Sequence, residues 1–196
     1  MYWIYTMESC DKEDKYMKIY TKAGDKGYTS NVKGEKLWKG SLWIELQGHV
    51  DELNAHIGHL RSLNQCVTKQ KDIDDILEWI QYCLFRIGSD VSLQFQASYI
   101  TDTMIERLEK AIDSYTEKTG ELHSFIHFSG NEAATYAQVT RSVTRRCERV
   151  FAKVIHELDF TLDYQYVNRL SDYFFQLARY LNHVNGDSEE AMVVRD

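Results

Sequence analysis

Not one proline interrupts this 196-residue chain, so nothing rigid forbids long helices and breaks must come from glycine or polar turns. Cysteine is scarce too. Cys10, Cys66, Cys83 and Cys147 are scattered without a C-x-x-C pair, which excludes a zinc-ribbon spacing and points to reduced thiols rather than a disulfide framework. No apolar run approaches membrane-spanning length. Basic residues are in deficit, 23 Lys and Arg against 30 Asp and Glu for a net charge of −7, the opposite of a nucleic-acid binder's balance. The chain opens Met1-Tyr-Trp-Ile-Tyr5 and then turns acidic through Glu8, Asp11, Glu13 and Asp14. That pattern fits neither a signal peptide nor a mitochondrial presequence, so a cytoplasmic location is expected. A Gly-x-Ser-x-Gly elbow and a Walker A Gly-Lys-Ser/Thr triplet are both missing, and no serine or cysteine has an identifiable base partner. If this is an enzyme, its nucleophile belongs to a substrate or cofactor.

What is present is apolar periodicity. Hydrophobic residues make up 43% of the chain, enough for one buried core in one domain. We expect an N-terminal extension over 1–17, a single domain over 18–185 and a tail over 186–196. After residue 41 the apolar positions recur at three- and four-residue steps. A first helix carries Leu46, Val50, Leu53, Ile57 and Leu60, and a second carries Ile73, Ile76, Ile80, Leu84, Ile87 and Val91. A third, over roughly Thr101 to Thr119, uses Met104, Leu108, Ala111, Ile112 and Tyr115, with Thr101 or Asp102 as its cap. Glu121 to Phe128 reads as non-helical. Ser129 and Glu132 form a capping-box pattern that launches a long helix to about Leu158, with Val143, Cys147, Val150, Val154 and Leu158 as its core stripe. The last begins near Asp163 and buries Val167, Leu170, Phe174, Leu177 and Leu181. Five helices with short connections predict an all-α, antiparallel bundle.

Four groupings could carry chemistry. Lys18 to Ser30, KIYTKAGDKGYTS, places Lys22 and Lys26 beside Thr21, Thr29 and Ser30, with Asp25 between Gly24 and Gly27. Such a segment is either a polar turn or a phosphate-holding loop, since glycines turn N–H groups toward an anion and a carboxylate with hydroxyls suits Mg²⁺. Arg141, Arg145 and Arg149 share one helical face, with Arg146 and Glu148 beside them. They form either a solvated, ion-paired face or an anion cradle, because guanidinium forks match phosphate oxygens. Asn168, Asp172, Phe175, Arg179 and Asn182 make a second stripe on the last helix, read as an interface with a ligand or another subunit, or as a solvated face. His49, Glu52, His56 and His59 share a face of the first helix. A metal there would need Glu-x-x-His on further helices, which does not occur, so surface histidines are the reading kept.

Four blocks in order resemble the PduO-type ATP:cob(I)alamin adenosyltransferases: Tyr20-Thr-Lys-Ala-Gly-Asp-Lys-Gly27 with Thr29-Ser30, Gly48-His-Val-Asp-Glu-Leu-Asn54, Arg141-Ser-Val-Thr-Arg-Arg-Cys-Glu-Arg149, and Asn168-Arg-Leu-Ser-Asp-Tyr-Phe-Phe175. The resemblance implies a homotrimer of helical bundles binding ATP and cobalamin at subunit interfaces. By motif position, Thr21, Lys22, Ala23, Gly24, Asp25, Thr29, Ser30 and Lys39 would hold ATP with Mg²⁺. Arg145, Arg146, Glu148, Arg149 and Asn168 would complete that site, and Asp51 would pair with Arg141 across the interface. It further implies that Co(I) of cob(I)alamin attacks C5′ of ATP and expels triphosphate, which accounts for the missing nucleophile. Phe125 matches the residue that displaces the lower axial ligand and eases reduction of Co(II). A flavoprotein reductase and an adenosylcobalamin-dependent enzyme are the partners implied. The chain departs from the family at Phe125-Ile-His-Phe-Ser-Gly130, where the family usually reads Phe-Ile-Leu-Pro-Gly-Gly. That puts efficiency and corrinoid preference in question, leaves His127 either solvated or a cobalt ligand, and keeps a non-catalytic ATP- or corrinoid-binding carrier or sensor as the alternative.

Overall fold

A computed structural model describes residues 20–156 and 161–193. A small antiparallel hairpin comes first, β1 (Tyr28–Ser30) and β2 (Lys36–Trp38), with Tyr28 opposite Trp38 and Ser30 opposite Lys36. Five helices follow: α1 (Leu42–Val67), α2 (Lys71–Ser92), α3 (Asp102–Thr119), α4 (Glu132–Val154) and α5 (Leu162–Asn185). Helices pack side by side in the order α2, α1, α4, α5, α3. The periodic stripes become the core: Leu46, Val50, Leu53, Ile57 and Leu60 of α1 are buried, as are Val167, Leu170, Phe174, Leu177 and Leu181 of α5. Ile76 and Met104 lie at its edge, half-buried.

Three local expectations change. The hairpin was not anticipated, because each strand is only three residues long and carries no extended alternation. The α4 cap is Asn131, whose side chain accepts from the Ala134 N–H at 3.0 Å, and not Ser129. Helix α4 ends at Val154, and Leu158 lies outside the described residues. The last helix is buried nearly all round, through Tyr166, Tyr173, Tyr180, Gln176 and Arg179 as well as its apolar stripe. Tyr115 of α3 stacks on Tyr180 with ring centres 4.4 Å apart.

One polar contact sits deep in this core. Asp90 near the end of α2 and Asp163 in the first turn of α5 are both wholly buried and close enough to act on each other's charge, and among the described residues neither Oδ1 has a separate hydrogen-bond partner. The Tyr99 N–H donates to Asp90 Oδ2 at 2.9 Å and the Ser98 hydroxyl to Asp163 Oδ2 at 3.3 Å. Arg86, stacked on Tyr99, is the nearby cation acting on Asp90. Two carboxylates that close cannot both ionise. Burial first, then the neighbouring Asp90, push Asp163 up to about 7, and burial also raises Asp90. An unfolded aspartate releases its proton near pH 3.9. The protonated pair's contribution to stability is therefore complete below that value and is lost as pH rises to about 7.

Asp163→Asn keeps hydrogen-bonding capacity without a charge. It is expected to be more stable than wild type by about 2 kcal/mol near pH 8 and to lose that advantage near pH 4. Thermal unfolding of both proteins across that range is the check, and parallel pH profiles would count against a shared proton.

Candidate functional site

The glycine-lysine loop folds back on the hairpin. Gly27 has φ +80, and a Cβ there would stand 2.6 Å from Trp38 Cζ3, so the indole closes over a position that only glycine fills. Trp38 also meets Tyr28 edge-on at 5.4 Å. Lys39 reaches back to donate to the Gly24 carbonyl at 3.1 Å, which brings its ammonium onto the same turn as Lys22. Ala23 N–H donates to the Thr21 hydroxyl at 3.4 Å. The side chains of Lys22, Asp25 and Lys26 are exposed and make no hydrogen bond or ion pair among the described residues. The loop is anchored through Val32 N–H to the Ser92 hydroxyl at 3.2 Å and through Lys33 to Gln96. Thr29, Ser30, Trp43, Gln47, Asp51 and Ser92 help line a cleft of about 220 Å³ between the loop, α1 and the end of α2. Gln47 Nε2 is buried there without a hydrogen-bond partner among the described residues, a donor available to a ligand. Its position four residues before Asp51, on the same helical face, was the available signal in the sequence.

The arginine row sorts itself by partner. Arg146 Nη2 meets Glu52 Oε1 at 2.6 Å, and this bond, ahead of the bare charge, lowers the Glu52 carboxyl's pKa. Glu148 accepts from Asn168 Nδ2 at 2.7 Å, so Arg146, Glu148 and Asn168 are held by contacts within the chain. Arg141 donates to Gln138 Oε1 at 2.9 Å and lies 4.9 Å from the Phe128 ring and 5.9 Å from the Phe175 ring. It meets no carboxylate among the described residues; burial first, and then Arg145, pull its pKa below the ordinary guanidinium value. Arg145 and Arg149 are exposed, and neither makes a hydrogen bond or ion pair among the described residues. The face thus carries positive charge that no described residue neutralises.

Neither half contains the other. None of the four arginines lines the cleft beside the loop. Asp51 and Arg141 form no ion pair within the chain, and the Asp51 side chain makes no hydrogen bond or ion pair among the described residues.

Other expectations resolve differently. The stripe on α5 splits: Asn168 and Phe175 face the arginine row, Asp172 pairs with Arg169 at 3.1 Å, and Arg179 and Asn182 are buried within the chain. Asn182 locks the loop before α4, donating to the Ser129 carbonyl at 2.9 Å and accepting from the Asn131 N–H at 3.2 Å. The histidines are not all simple surface groups. His49 lies 3.4 Å from Glu52, and His56 Nδ1 shares a 2.8 Å hydrogen bond with the half-buried Tyr136 hydroxyl. Burial pushes the Cys147 thiol up to about 12, far from a thiolate nucleophile. Phe125, by contrast, is 82% exposed.

A helical bundle that presents an unneutralised arginine row and a separate glycine-lysine loop has the make-up of a polyphosphate-binding protein. The profile of the family described as cobalamin adenosyltransferase matches residues 19–181. A corrinoid adenosyltransferase from Bacillus subtilis is 37% identical over 188 residues, covering 92% of this chain and 97% of that protein. The human corrinoid adenosyltransferase is 33% identical, with 94% of this chain and 77% of the relative covered. The Salmonella typhimurium corrinoid adenosyltransferase PduO is also 33% identical, and there the chain spans about half the relative, 53%. Among solved structures, a variant of the Lactobacillus reuteri PduO-type ATP:corrinoid adenosyltransferase complexed with cobalamin and ATP superposes with a TM-score of 0.82 at 33% identity, over 89% of this chain and 99% of that one. This chain belongs to the cobalamin adenosyltransferase family.

At Gly130, φ is +115 and an added Cβ would overlap the Asn182 carboxamide. Gly130→Ala is expected to cost about 2 kcal/mol or more through backbone strain and that collision. A urea midpoint unchanged from wild type would show that the loop is not held as described.

Proposed function

We propose that this protein transfers the 5′-deoxyadenosyl group of ATP to Co(I) of cob(I)alamin, forming adenosylcobalamin and releasing triphosphate. The observation that carries this is the pair Arg145 and Arg149: exposed, adjacent to Arg141, and without a counter-charge among the described residues. A leaving triphosphate supplies the missing negative charge. The cobalt atom of the substrate is the nucleophile, so no general base is required and no proton leaves the attacker. The protein's task is to hold C5′ against cobalt and to stabilise charge on the departing phosphates, which is positioning and electrostatics.

The loop residues Thr21, Lys22, Ala23, Gly24, Asp25, Thr29, Ser30 and Lys39 are assigned to ATP. Mg²⁺ is expected on the phosphates, where it would supply further charge neutralisation. Asp25, Thr29 and Ser30 offer side-chain oxygens in the loop, and Asp25 is not committed to another side chain among the described residues. Hard oxygen ligands of this kind suit Mg²⁺. Because the loop and the arginine row do not join among the described residues, we assign the site to the subunit interface of the homotrimer that the family resemblance implies, each site taking the loop from one copy and Arg145, Arg146, Glu148, Arg149 and Asn168 from the next. Asp51 would then meet Arg141 of a neighbouring copy. Phe125, an aromatic ring left in solvent next to Phe128, is assigned to the corrinoid as the group that displaces its lower ligand. A cytoplasmic setting, with a flavoprotein reductase supplying electrons and an adenosylcobalamin-dependent enzyme taking the product, completes the reading.

Purified protein mixed anaerobically with chemically reduced cob(I)alamin and Mg-ATP should form adenosylcobalamin with matching triphosphate. ATP binding without turnover would instead favour a carrier or sensor. Arg145→Ala should lower kcat by about 10²–10³-fold with helix content unchanged; near-normal turnover would remove the triphosphate cradle. Phe125→Ala should damage Co(II)-coupled activity far more than activity on pre-reduced Co(I), and equal losses would rule out ligand displacement.

A further inference from the structure

The segment that carries Phe125 has almost nothing of its own to hold it. Leu122 to Phe125, His127 and Phe128 are exposed. Among the described residues, every hydrogen bond of 121–128 is made with the C-terminal tail: His127 N–H donates to the Glu190 carbonyl at 2.9 Å, and Met192 N–H donates to the Phe125 carbonyl at 2.7 Å. These bonds flank an antiparallel bridge between Ile126 and Ala191. Extended backbone alternates its side chains, so half-buried Ile126 faces inward while Phe125 and His127 face out. The aim of the Phe125 ring therefore depends on where the tail lies.

The tail in turn is fixed by a buried cation. Arg179 of α5 is 4% exposed, and its Nε and Nη2 grip the two oxygens of Glu189 at 2.6 and 3.1 Å. A planar guanidinium gripping a carboxylate with both arms fixes orientation as well as distance. Arg179 also approaches Gln176 Oε1 at 3.4 Å and the Thr119 carbonyl at 3.5 Å, contacts too long to replace a carboxylate. Asp187 adds a tie, accepting from Asn131 Nδ2 at 3.0 Å. Glu189 is thus the tail's ionic anchor, one residue before its ladder with 125–127 begins.

We infer that Arg179 and Glu189 are positioning residues for Phe125: their ion pair sets the register of the tail on the 125–127 segment and so aims the aromatic ring at the corrinoid. This rests on the reading of Phe125 given above. It gives the tail a defined role in the Co(II) half of the reaction, separate from ATP binding.

Two variants of the full-length protein test it. Glu189→Gln keeps shape and removes the charge. Met192→Pro deletes the N–H that bonds Phe125 while leaving the buried arginine paired, at an exposed site that does not endanger the core. Both are expected to accelerate amide hydrogen exchange at His127. Both should also lower Co(II)-coupled turnover by about 10- to 100-fold, the scale of a small misplacement of a reacting group. Turnover of pre-reduced Co(I) and the KM for ATP should stay near wild type. A wild-type ratio of Co(II) to Co(I) activity in both variants, or wild-type protection of the His127 amide in Glu189→Gln, would overturn the positioning role alone. A wild-type protein that cannot adenosylate Co(I) would overturn the adenosyltransferase reading and this role with it.

Discussion

Helix α4 packs on α1 along one flank and on α5 along the other, and most of the molecule follows from that double commitment. Its buried stripe runs through Ala133, Ala137, Thr140, Val143, Thr144, Cys147 and Phe151. Thr140 and Thr144 satisfy their hydroxyls by back-bonding to the carbonyls of Tyr136 and Thr140, at 3.0 and 2.9 Å, so even polar members of the stripe need no water. With those positions taken by the core, the arginines have only the outer surface. Glu52 on α1 and Asn168 on α5 then reach the row from its two sides, one tying down Arg146 and the other turning Glu148 away. Arg145 and Arg149 are left as open charge. Packing thus decides which guanidiniums are paired and which stand exposed and unpaired among the described residues.

The same economy divides the chemistry between separate places. The hairpin, with Trp38 over Gly27, presents the loop beside the start of α1 and the end of α2. The arginine row stands on α4, and Phe125 projects from the connection between α3 and α4. On the function proposed above, an active site assembled from such parts draws on a neighbouring copy. On that reading catalysis is coupled to assembly without any dedicated switch, since among the described residues the arginines stay outside the cleft beside the loop and Asp51 has no partner. The family's usual proline is replaced here by Phe128, whose ring lies against Arg141. The substitution exchanges backbone stiffness for a cation–π contact, while Asn182 and Gly130 keep the following turn in place.

Several elements were readable in advance for definable reasons. The five helices declared themselves because amphipathic spacing over four or more turns is a strong signal. The loop and the arginine row were visible because glycine, lysine and arginine in those arrangements have few other uses. The cap at Asn131 was obscured by the competing Ser129–Glu132 pattern, which satisfies the same rule two residues earlier. Arg179 and Asn182 looked like members of an outward stripe, since helical spacing cannot tell that the tail and the α3–α4 loop would fold over that end of α5. The Asp90–Asp163 pair had no trace in the sequence, with the two residues on different helices.

The sequence by itself determined the periodic faces, the loop chemistry and the concentration of positive charge on one helix, because these depend on residues a few positions apart. Only the tertiary structure decided which arginines are neutralised, that two carboxyls share a dry site, and that Glu189 secures the strand bonded to the Phe125 segment. Each of those results depends on groups distant in the chain being brought within hydrogen-bond reach and out of water, where pairing and desolvation, rather than local propensity, set the outcome.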